Sequence, residues 1–424
     1  MKISVFTPSH DLKYIDKPLN SLLQQEYKDF EWIILLNGEA LKDKEDLENR
    51  LSSSELNFKI IEEDGETKSI GLFKKKCCAE AKGEILVELD HDDALTFDCL
   101  KKVHSTFEKE KCDFCYSDDY AIQTNDGKEE YIAPFSSQYG WKVKKDANGN
   151  QYHLAPEVSA LTFSYIWYAP DHVRAWKKSF YHSVGGHDES LEVCDDYDLL
   201  CRTYIHGKCH KINEPLYKYY ANPERTSAKE KNEEIQKLTH SLHDKYMLAI
   251  ASKWSDENSL KKVDLCSCDN KPNGFIGVDK RKLNKDDVVF DLDEPDWPFE
   301  DGSVGVFRAQ DAVEHMKDPV NTMKEIYRCL ADYGWAIIDV PSTDGRGAFQ
   351  DPTHVSFWNS NTFWYYTKSN QATFIGTPVK FQLNRIDNYY PSDFHEFHNI
   401  VYTRAHLVKL PKDGFEIPMH GREI

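Results

Sequence analysis

Asp90-His91-Asp92-Asp93 follows directly on the apolar run Ile85-Leu86-Val87-Glu88-Leu89. Three carboxylates in four residues repel one another, which destabilises the fold unless a cation or a basic partner sits among them. Hard divalent ions such as Mg2+ or Mn2+ prefer carboxylate oxygens and often bind one or two carboxylates together with substrate phosphates. A solvated acidic turn ahead of a helix starting near Thr96 accounts for the same residues without a ligand. A second acidic stretch, Cys194-Asp195-Asp196-Tyr197-Asp198-Leu199, comes soon after Gly185-Gly186-His187-Asp188-Glu189. Adjacent carboxylates raise one pKa toward working pH. At the start of a helix each is also favoured by the dipole, by roughly 0.3–1 kcal/mol.

A sheet must position these residues. Ile3 to Phe6 is an apolar run ended by Thr7-Pro8-Ser9, and a helix entered near Pro18 has Leu19, Leu22 and Leu23 on one face. Trp32 to Leu36 is stopped by Asn37-Gly38, and Phe58 to Ile61 is a shorter run. A Lys-rich helix from about Ser69 to Ala81 then leads through Gly83 into Ile85–Leu89. Short buried strands alternating with helices predict a parallel α/β sheet, whose ligands bind beyond the carboxyl ends of the strands. Thr7-Pro8-Ser9-His10, Asn37-Gly38 and Asp90–Asp93 then share one sheet edge. From Ala228 to about Trp254 the chain is charged, with Ile235, Leu238, Leu242 and Tyr246 at helical spacing. A second α/β pattern begins at Val263-Asp264-Leu265, so the expected division is 1–225, a connecting helix over 226–257, and 258–424.

With these motifs in order, residues 1 to 225 resemble the family 2 glycosyltransferases of the GT-A (Rossmann-like) fold. The resemblance implies an inverting transfer from a nucleotide-sugar donor, a UDP-sugar above all, with Mn2+ or Mg2+. Thr7, Pro8, Ser9, Asn37, Lys74 and Asp90 would bind the donor, and Asp90, Asp92 and Asp93 would hold metal and ribose. Ile70-Gly71-Leu72-Phe73-Lys74 resembles the family's Gly-x-x-Arg-Asn helix, with Lys74 or Lys75 standing in for the missing Arg-Asn pair. Asn37 stands where an aspartate near the base is common. Gly185–Glu189 resembles the family's Gly-Gly-Phe-Asp-Glu segment, which makes Asp196 the catalytic base and Asp195 the replacement for the preceding glutamate. Tyr217 to Ser227 resembles the segment that closes over the diphosphate. Its usual histidine is missing, which leaves the third metal ligand unassigned and gives Arg225 a phosphate contact. The aromatic segment from Tyr139-Gly140-Trp141 to Trp167-Tyr168 suits a sugar acceptor and suits a core equally.

From Val263 to about Tyr366 the chain resembles class I S-adenosylmethionine-dependent methyltransferases, a second Rossmann-like α/β fold. Gly274-Phe275-Ile276-Gly277-Val278-Asp279, Ala312-Val313-Glu314-His315 and Asp351-Pro352-Thr353-His354 carry the likeness, and Asp279 would bind the cofactor ribose. The family's Gly-x-Gly turn is Cys266-Ser267-Cys268 here, and the helix after it is nearly absent. Glycine lets the backbone approach a ligand closely, which a side chain obstructs. Cofactor binding, a Cys-x-Cys metal site and a scaffold or acceptor-binding domain all remain open.

The 424 residues suggest two or three domains at about 150 residues each. Hydrophobic residues at 40% and charged residues at 29% support sizeable cores. A net charge of −19 argues against nucleic acid and anionic membranes as general partners. No apolar run is long enough to cross a bilayer, and Met1–Pro8 is too short for a signal sequence, so a cytoplasmic protein with reduced thiols is expected. Cys112 and Cys115 read as buried thiols. The expected partners are the donor and a glycan or lipid-linked acceptor. A homo-oligomer is left open, as are a bifunctional enzyme that also methylates the glycan and a non-catalytic glycan-binding or assembly protein.

Overall fold

The computed structural model describes residues 1–65, 69–134, 141–165, 171–221, 229–268, 270–282, 285 and 287–411. The chain forms two compact units, Met1–Tyr246 and Met247–Ile424.

Among the described residues, the first unit holds β1 (Ile3–Ser9), β2 (Phe30–Asn37), β3 (Phe58–Glu63), β4 (Ile85–Glu88), β5 (Ala94–Leu95) and β6 (Phe114–Asn125). They are followed by β7 (Lys128–Ile132), β8 (Val143–Lys145), β9 (Gln151–His153), β10 (Arg174–Lys177) and β11 (Cys209–Tyr220). The sheet runs β3-β2-β1-β4-β10-β6-β11-β5. β3, β2, β1 and β4 are parallel, and β1 and β4 are buried throughout, as strands covered on both faces must be. The parallel arrangement expected of the strand–helix units in the first 90 residues is present in these four strands, and beyond them β10 enters between β4 and β6 antiparallel to both. That inversion carries residues onto the site edge from the opposite chain direction.

Two junctions fix the site's surroundings. The helix Ile70–Glu80 starts at Ser69, whose hydroxyl accepts the Leu72 amide at 3.1 Å. It is followed by Gly83, where a Cβ would lie 2.6 Å from the Ser4 nitrogen and 2.7 Å from the Ile3 carbonyl carbon. Only glycine lets this turn pass so close to β1. The helix Asp16–Leu23 buries Leu19 and Leu22. Leu23, expected on the same face, lies about 100° round from Leu22 and is 38% exposed. The long helix Lys229–Glu257 buries Ile235, Leu242 and Tyr246, and the division between units falls within it.

The second unit holds β12 (Lys261–Leu265), β13 (Ile276–Asp279), β14 (Val288–Val289), β15 (Val304–Gln310), β16 (Leu330–Pro341), β17 (Phe381–Tyr389) and β18 (Tyr402–Lys409). Their order is β14-β13-β12-β15-β16-β18-β17, parallel as far as β16, with β18 antiparallel to both neighbours. The order reverses at β12, which puts a topological switch point between β12 and β15. No helix lies between β12 and β13 among the described residues.

Candidate active site

Glu88, the last residue of β4, is 1% exposed and anchors a network of charges. Lys74, from the helix Ile70–Glu80, places Nζ 2.7 Å from Glu88 Oε1 and 3.0 Å from Asp195 Oδ2. Arg174, the first residue of β10, has Nη1 3.7 Å from Glu88 Oε2 and donates from it to Asp196 Oδ2 at 3.1 Å. His172 stands just before β10. Its Nε2 lies 3.9 Å from Glu88 Oε2 and 3.7 Å from Asp90 Oδ2, and its Nδ1 lies 3.0 Å from Asp171 Oδ1. The His172 ring stacks on Tyr217, with centroids 4.7 Å apart.

The charges are strongly coupled. Burial opposes ionisation of Glu88, but Lys74, Arg174 and His172 outweigh it and hold the carboxyl below its ordinary range. Burial likewise opposes the Lys74 charge, and Asp195 and Glu88 prevail to keep it well above its ordinary value. Asp195 is pushed up to about 6 by burial, with Asp196 and Glu88 adding to the effect against Lys74. For His172, burial and Arg174 are outweighed by Asp90, Asp171 and Glu88, so its pKa is raised.

Asp195 and Asp196 open the helix Asp195–His206, yet they face different surroundings. The Asp195 side chain is 5% exposed, between Lys74 and His187, whose Nε2 is 3.7 Å away. Asp196 is 22% exposed and oriented by Arg174. Asp196 is therefore the more accessible carboxylate of the pair.

The residues expected on the donor side divide in the same way. Thr7 and Pro8 are buried within β1, and the Thr7 hydroxyl accepts the Trp32 indole N–H at 2.9 Å. Ser9 is buried and donates to the Asp11 carbonyl. Asn37 is half-buried at the end of β2. The Asp90 side chain is 35% exposed, and its carboxyl is raised by burial and by Glu88 against the pull of His172. Asp93 is buried, accepts the Tyr220 amide at 2.8 Å, and is raised well above its ordinary value by burial and by Asp92 and Asp90. The Asp92 carbonyl accepts from Lys17 at 3.1 Å. Among the described residues, the metal-ligating atoms that gather around Asp90 within 4.8 Å are those of Glu88 and His172, and Asp92 and Asp93 are not part of that group. A second group is His10, Asp11 and His91. Burial is the main cause of the raised Asp90 and Asp93 carboxyls, and the group around Asp90 offers two carboxylates, whose oxygens a hard divalent cation prefers, and one imidazole. Arg225, Tyr139, Gly140, Trp167 and Tyr168 lie outside the described residues, and Trp141 is buried.

Sequence reasoning missed Glu88, His172 and Arg174 as site residues. Glu88 carried a signal, a lone charge inside an apolar run. His172 and Arg174 carried none, since only the β10 pairing brings them to the site.

In the second unit, Asp279 ends β13 and accepts the Arg281 amide at 2.9 Å. It lines a cavity of about 310 Å3 with Cys266, Phe290, Leu292, His315 and Met316. Cys266 and Cys268 have φ of 50° and 40°, the left-handed backbone that glycine adopts most readily. The Cys268 thiol sits 3.9 Å from Asp279 Oδ2.

These two sheets define a GT-A-like unit followed by a methyltransferase-like unit. Residues 4–166 match the family model described as Glycosyl transferase family 2, and residues 246–338 match the one described as Methyltransferase domain. Within the first unit, residues 4–166 are thus similar to family 2 glycosyltransferases. Among solved structures the chain is similar to S. aureus TarS, at 20% identity over 56% of this chain and 39% of that one, with a TM-score of 0.42. It is also similar to TarS 1-349 in complex with UDP-GlcNAc (16% identity, 60% of this chain, 71% of that one, TM-score 0.45). A further similar structure is GalNAc-T7 with UDP, GalNAc and Mn2+ (12% identity, 53% and 44%, TM-score 0.41). The chain thus spans well under half the length of the full TarS structure. No curated protein matches it.

Proposed function

We propose that the first unit is an inverting, divalent-metal-dependent glycosyltransferase that moves a sugar from a UDP-sugar to a hydroxyl of a glycan or lipid-linked saccharide. The observation that carries this reading is Asp196: a partly exposed carboxylate, oriented at 3.1 Å by Arg174, which also faces Glu88 beside Asp90. Asp196 accepts the proton of the acceptor hydroxyl as its oxygen attacks the anomeric carbon, and the bond from that carbon to the diphosphate oxygen breaks on the opposite face. Arg174 holds Asp196 in place, and Lys74 keeps Asp195 and Glu88 compensated behind it. Asp90, with Asp92 and Asp93 alongside, would hold Mn2+ or Mg2+, which offsets charge on the departing diphosphate when bound. Ser9, Asn37 and Arg225 are assigned to the donor, and the functional division is taken as 1–225, 226–257 and 258–424.

The test is nucleoside diphosphate release from UDP-, GDP- and dTDP-sugars with Mn2+, for wild type beside Asp196→Asn. Turnover with one donor, lost in the variant and on chelation, supports the reading. No turnover with any donor, even with glycan extracts as acceptor, overturns it in favour of a glycan-binding protein.

A second reading adds S-adenosylmethionine-dependent methylation of the glycan by the second unit. It is favoured by the left-handed turn at Cys266 and Cys268 and by the cavity beside Asp279 at the switch point. Equilibrium binding of S-adenosylmethionine, weakened by Asp279→Ala, is the expected result, and no binding by wild type rules this reading out.

A further inference from the structure

Glu314 and His315 follow β15 in a short helical turn, Val313–His315. His354 comes from the segment after the helix Gly347–Gln350. The fold brings the three together, with one potential ligand atom from each lying within 4.8 Å of the others. The His354 Nε2 is 3.9 Å from Glu314 Oε1, and the two imidazole centroids are 5.0 Å apart.

Two features point to a ligand. The first is Glu314 itself, 1% exposed, with neither carboxylate oxygen hydrogen-bonded among the described residues. A buried carboxylate without a hydrogen-bond partner is strongly disfavoured in its charged form. Apart from the two imidazoles, Asp311 and Asp351 add negative charge nearby, and the amides of Glu314 and Ala312 are near but outside hydrogen-bonding geometry. The second is the tautomer of both histidines. His315 Nδ1 lies 3.2 Å from the Thr353 carbonyl, and His354 Nδ1 lies 3.0 Å from the Ala348 carbonyl. A carbonyl oxygen only accepts, so each Nδ1 carries the proton and each Nε2 keeps its lone pair. A backbone carbonyl on the far ring nitrogen is the arrangement that orients imidazoles toward a metal.

We propose that Glu314, His315 and His354 form a binding site for a first-row divalent transition metal, separate from the acidic site of the first unit. Two imidazoles and one carboxylate suit Zn2+, Co2+ or Fe2+ better than Mg2+ or Ca2+, which want oxygen alone. Bond lengths of about 2.0–2.2 Å require the three atoms to draw in around the ion. Three protein ligands leave at least one coordination position free. His315 also lines the cavity beside Asp279, so the ligand class for that position is an oxygen donor held there, a water or a substrate hydroxyl.

The experiment titrates the metal-stripped full chain with Co2+ in excess Mg2+, by calorimetry and visible absorption. One equivalent is expected in this site, with ligand-field bands and no thiolate charge-transfer band. His354→Gln retains an N–H for the Ala348 carbonyl but lacks the ring donor, and it should weaken Co2+ by about 100-fold or more. His315→Gln should do the same, and Cys266→Ser with Cys268→Ser should change nothing. Circular dichroism and the metal-free Tm establish that each variant is folded. Independently of any variant, Co2+ should protect His315 and His354 of the wild type from diethyl pyrocarbonate, read by peptide mass. No Co2+ binding by the wild type, unchanged affinity in both histidine variants, loss in the cysteine variant, or equal labelling with and without Co2+ each overturn the proposal.

Discussion

At the scale of residues, adjacency in sequence did not mean a shared role. Asp195 and Asp196 are neighbours, but one side chain is 5% exposed against Lys74 and the other 22% exposed against Arg174. Asp196→Asn removes a proton acceptor while leaving the Arg174 hydrogen bond a partner oxygen. Turnover should therefore drop about 10^2–10^4-fold with the Tm nearly unchanged, checked by nucleoside diphosphate release and a thermal melt on one preparation. Lys74→Met should do the opposite kind of damage. It leaves Glu88 and Asp195 buried without their shared cation, and losing one partner of a buried pair destabilises by about 3–5 kcal/mol. Urea unfolding measures it, and a loss under 1 kcal/mol would mean that Arg174 and water already compensate these carboxylates. The acidic motif was visible in the sequence because it sits directly after a buried strand. Its real neighbours, His172 and Arg174, were not visible, because no local pattern tells a chain which strand will slide between two others.

At the scale of elements, the runs around Ile3–Phe6, Trp32–Leu36, Phe58–Ile61 and Ile85–Leu89 are mostly apolar, broken only at Ser4, Lys59 and Glu88, and each became a parallel strand of the first sheet. Burial on both faces leaves that signature in β1, β2 and β4, whereas the edge strand β3 is only partly buried. β10 spans only Arg174–Lys177, two of its residues being cationic, and its direction is a long-range property that the sequence does not carry. The second sheet was foreshadowed by Val263–Leu265 and Phe275–Asp279. There the departure from a glycine turn proved to be chemical rather than conformational, since Cys266 and Cys268 hold the left-handed backbone. Gly83 shows the converse, a glycine required for space. In Gly83→Ala the added methyl would meet the Ser4 nitrogen and the Ile3 carbonyl carbon, both backbone atoms that cannot swing aside. The junction between the helix Ile70–Glu80 and β4 must then shift, at about 1–3 kcal/mol. Because Lys74 and Glu88 lie on either side of that junction, turnover should fall along with the urea midpoint. A variant with wild-type stability would show that the turn has room to move.

At the scale of the whole molecule, 72 acidic against 53 basic residues give the net charge of −19. Acid should relieve the self-repulsion of such a chain, and several buried carboxyls add a specific pH dependence to this general one. Asp264 in β12 is the clearest, because it is fully buried and faces Arg308 Nη1 at 2.9 Å. Burial pushes its carboxyl up to about 6, more than Arg308 pulls it down, and Asp287 adds to the rise. The folded form therefore binds this proton more tightly than the unfolded chain does. Its contribution is complete below about pH 4 and is lost as the pH rises through about 6, an effect of about 3 kcal/mol. Asp195 shifts in the same direction over the same window, whereas Glu88, held low by its cations, loses its contribution only as the pH falls below the ordinary glutamate range. The wild-type slope therefore mixes several groups, and the difference between wild type and Asp264→Asn isolates one. Asparagine keeps an acceptor for Arg308 and cannot titrate, so the unfolding free energy of the variant should fall less steeply between pH 4 and pH 6. Parallel curves for the two proteins would mean that Arg308 holds Asp264 ionised throughout, and that the buried pair contributes no pH dependence to the fold.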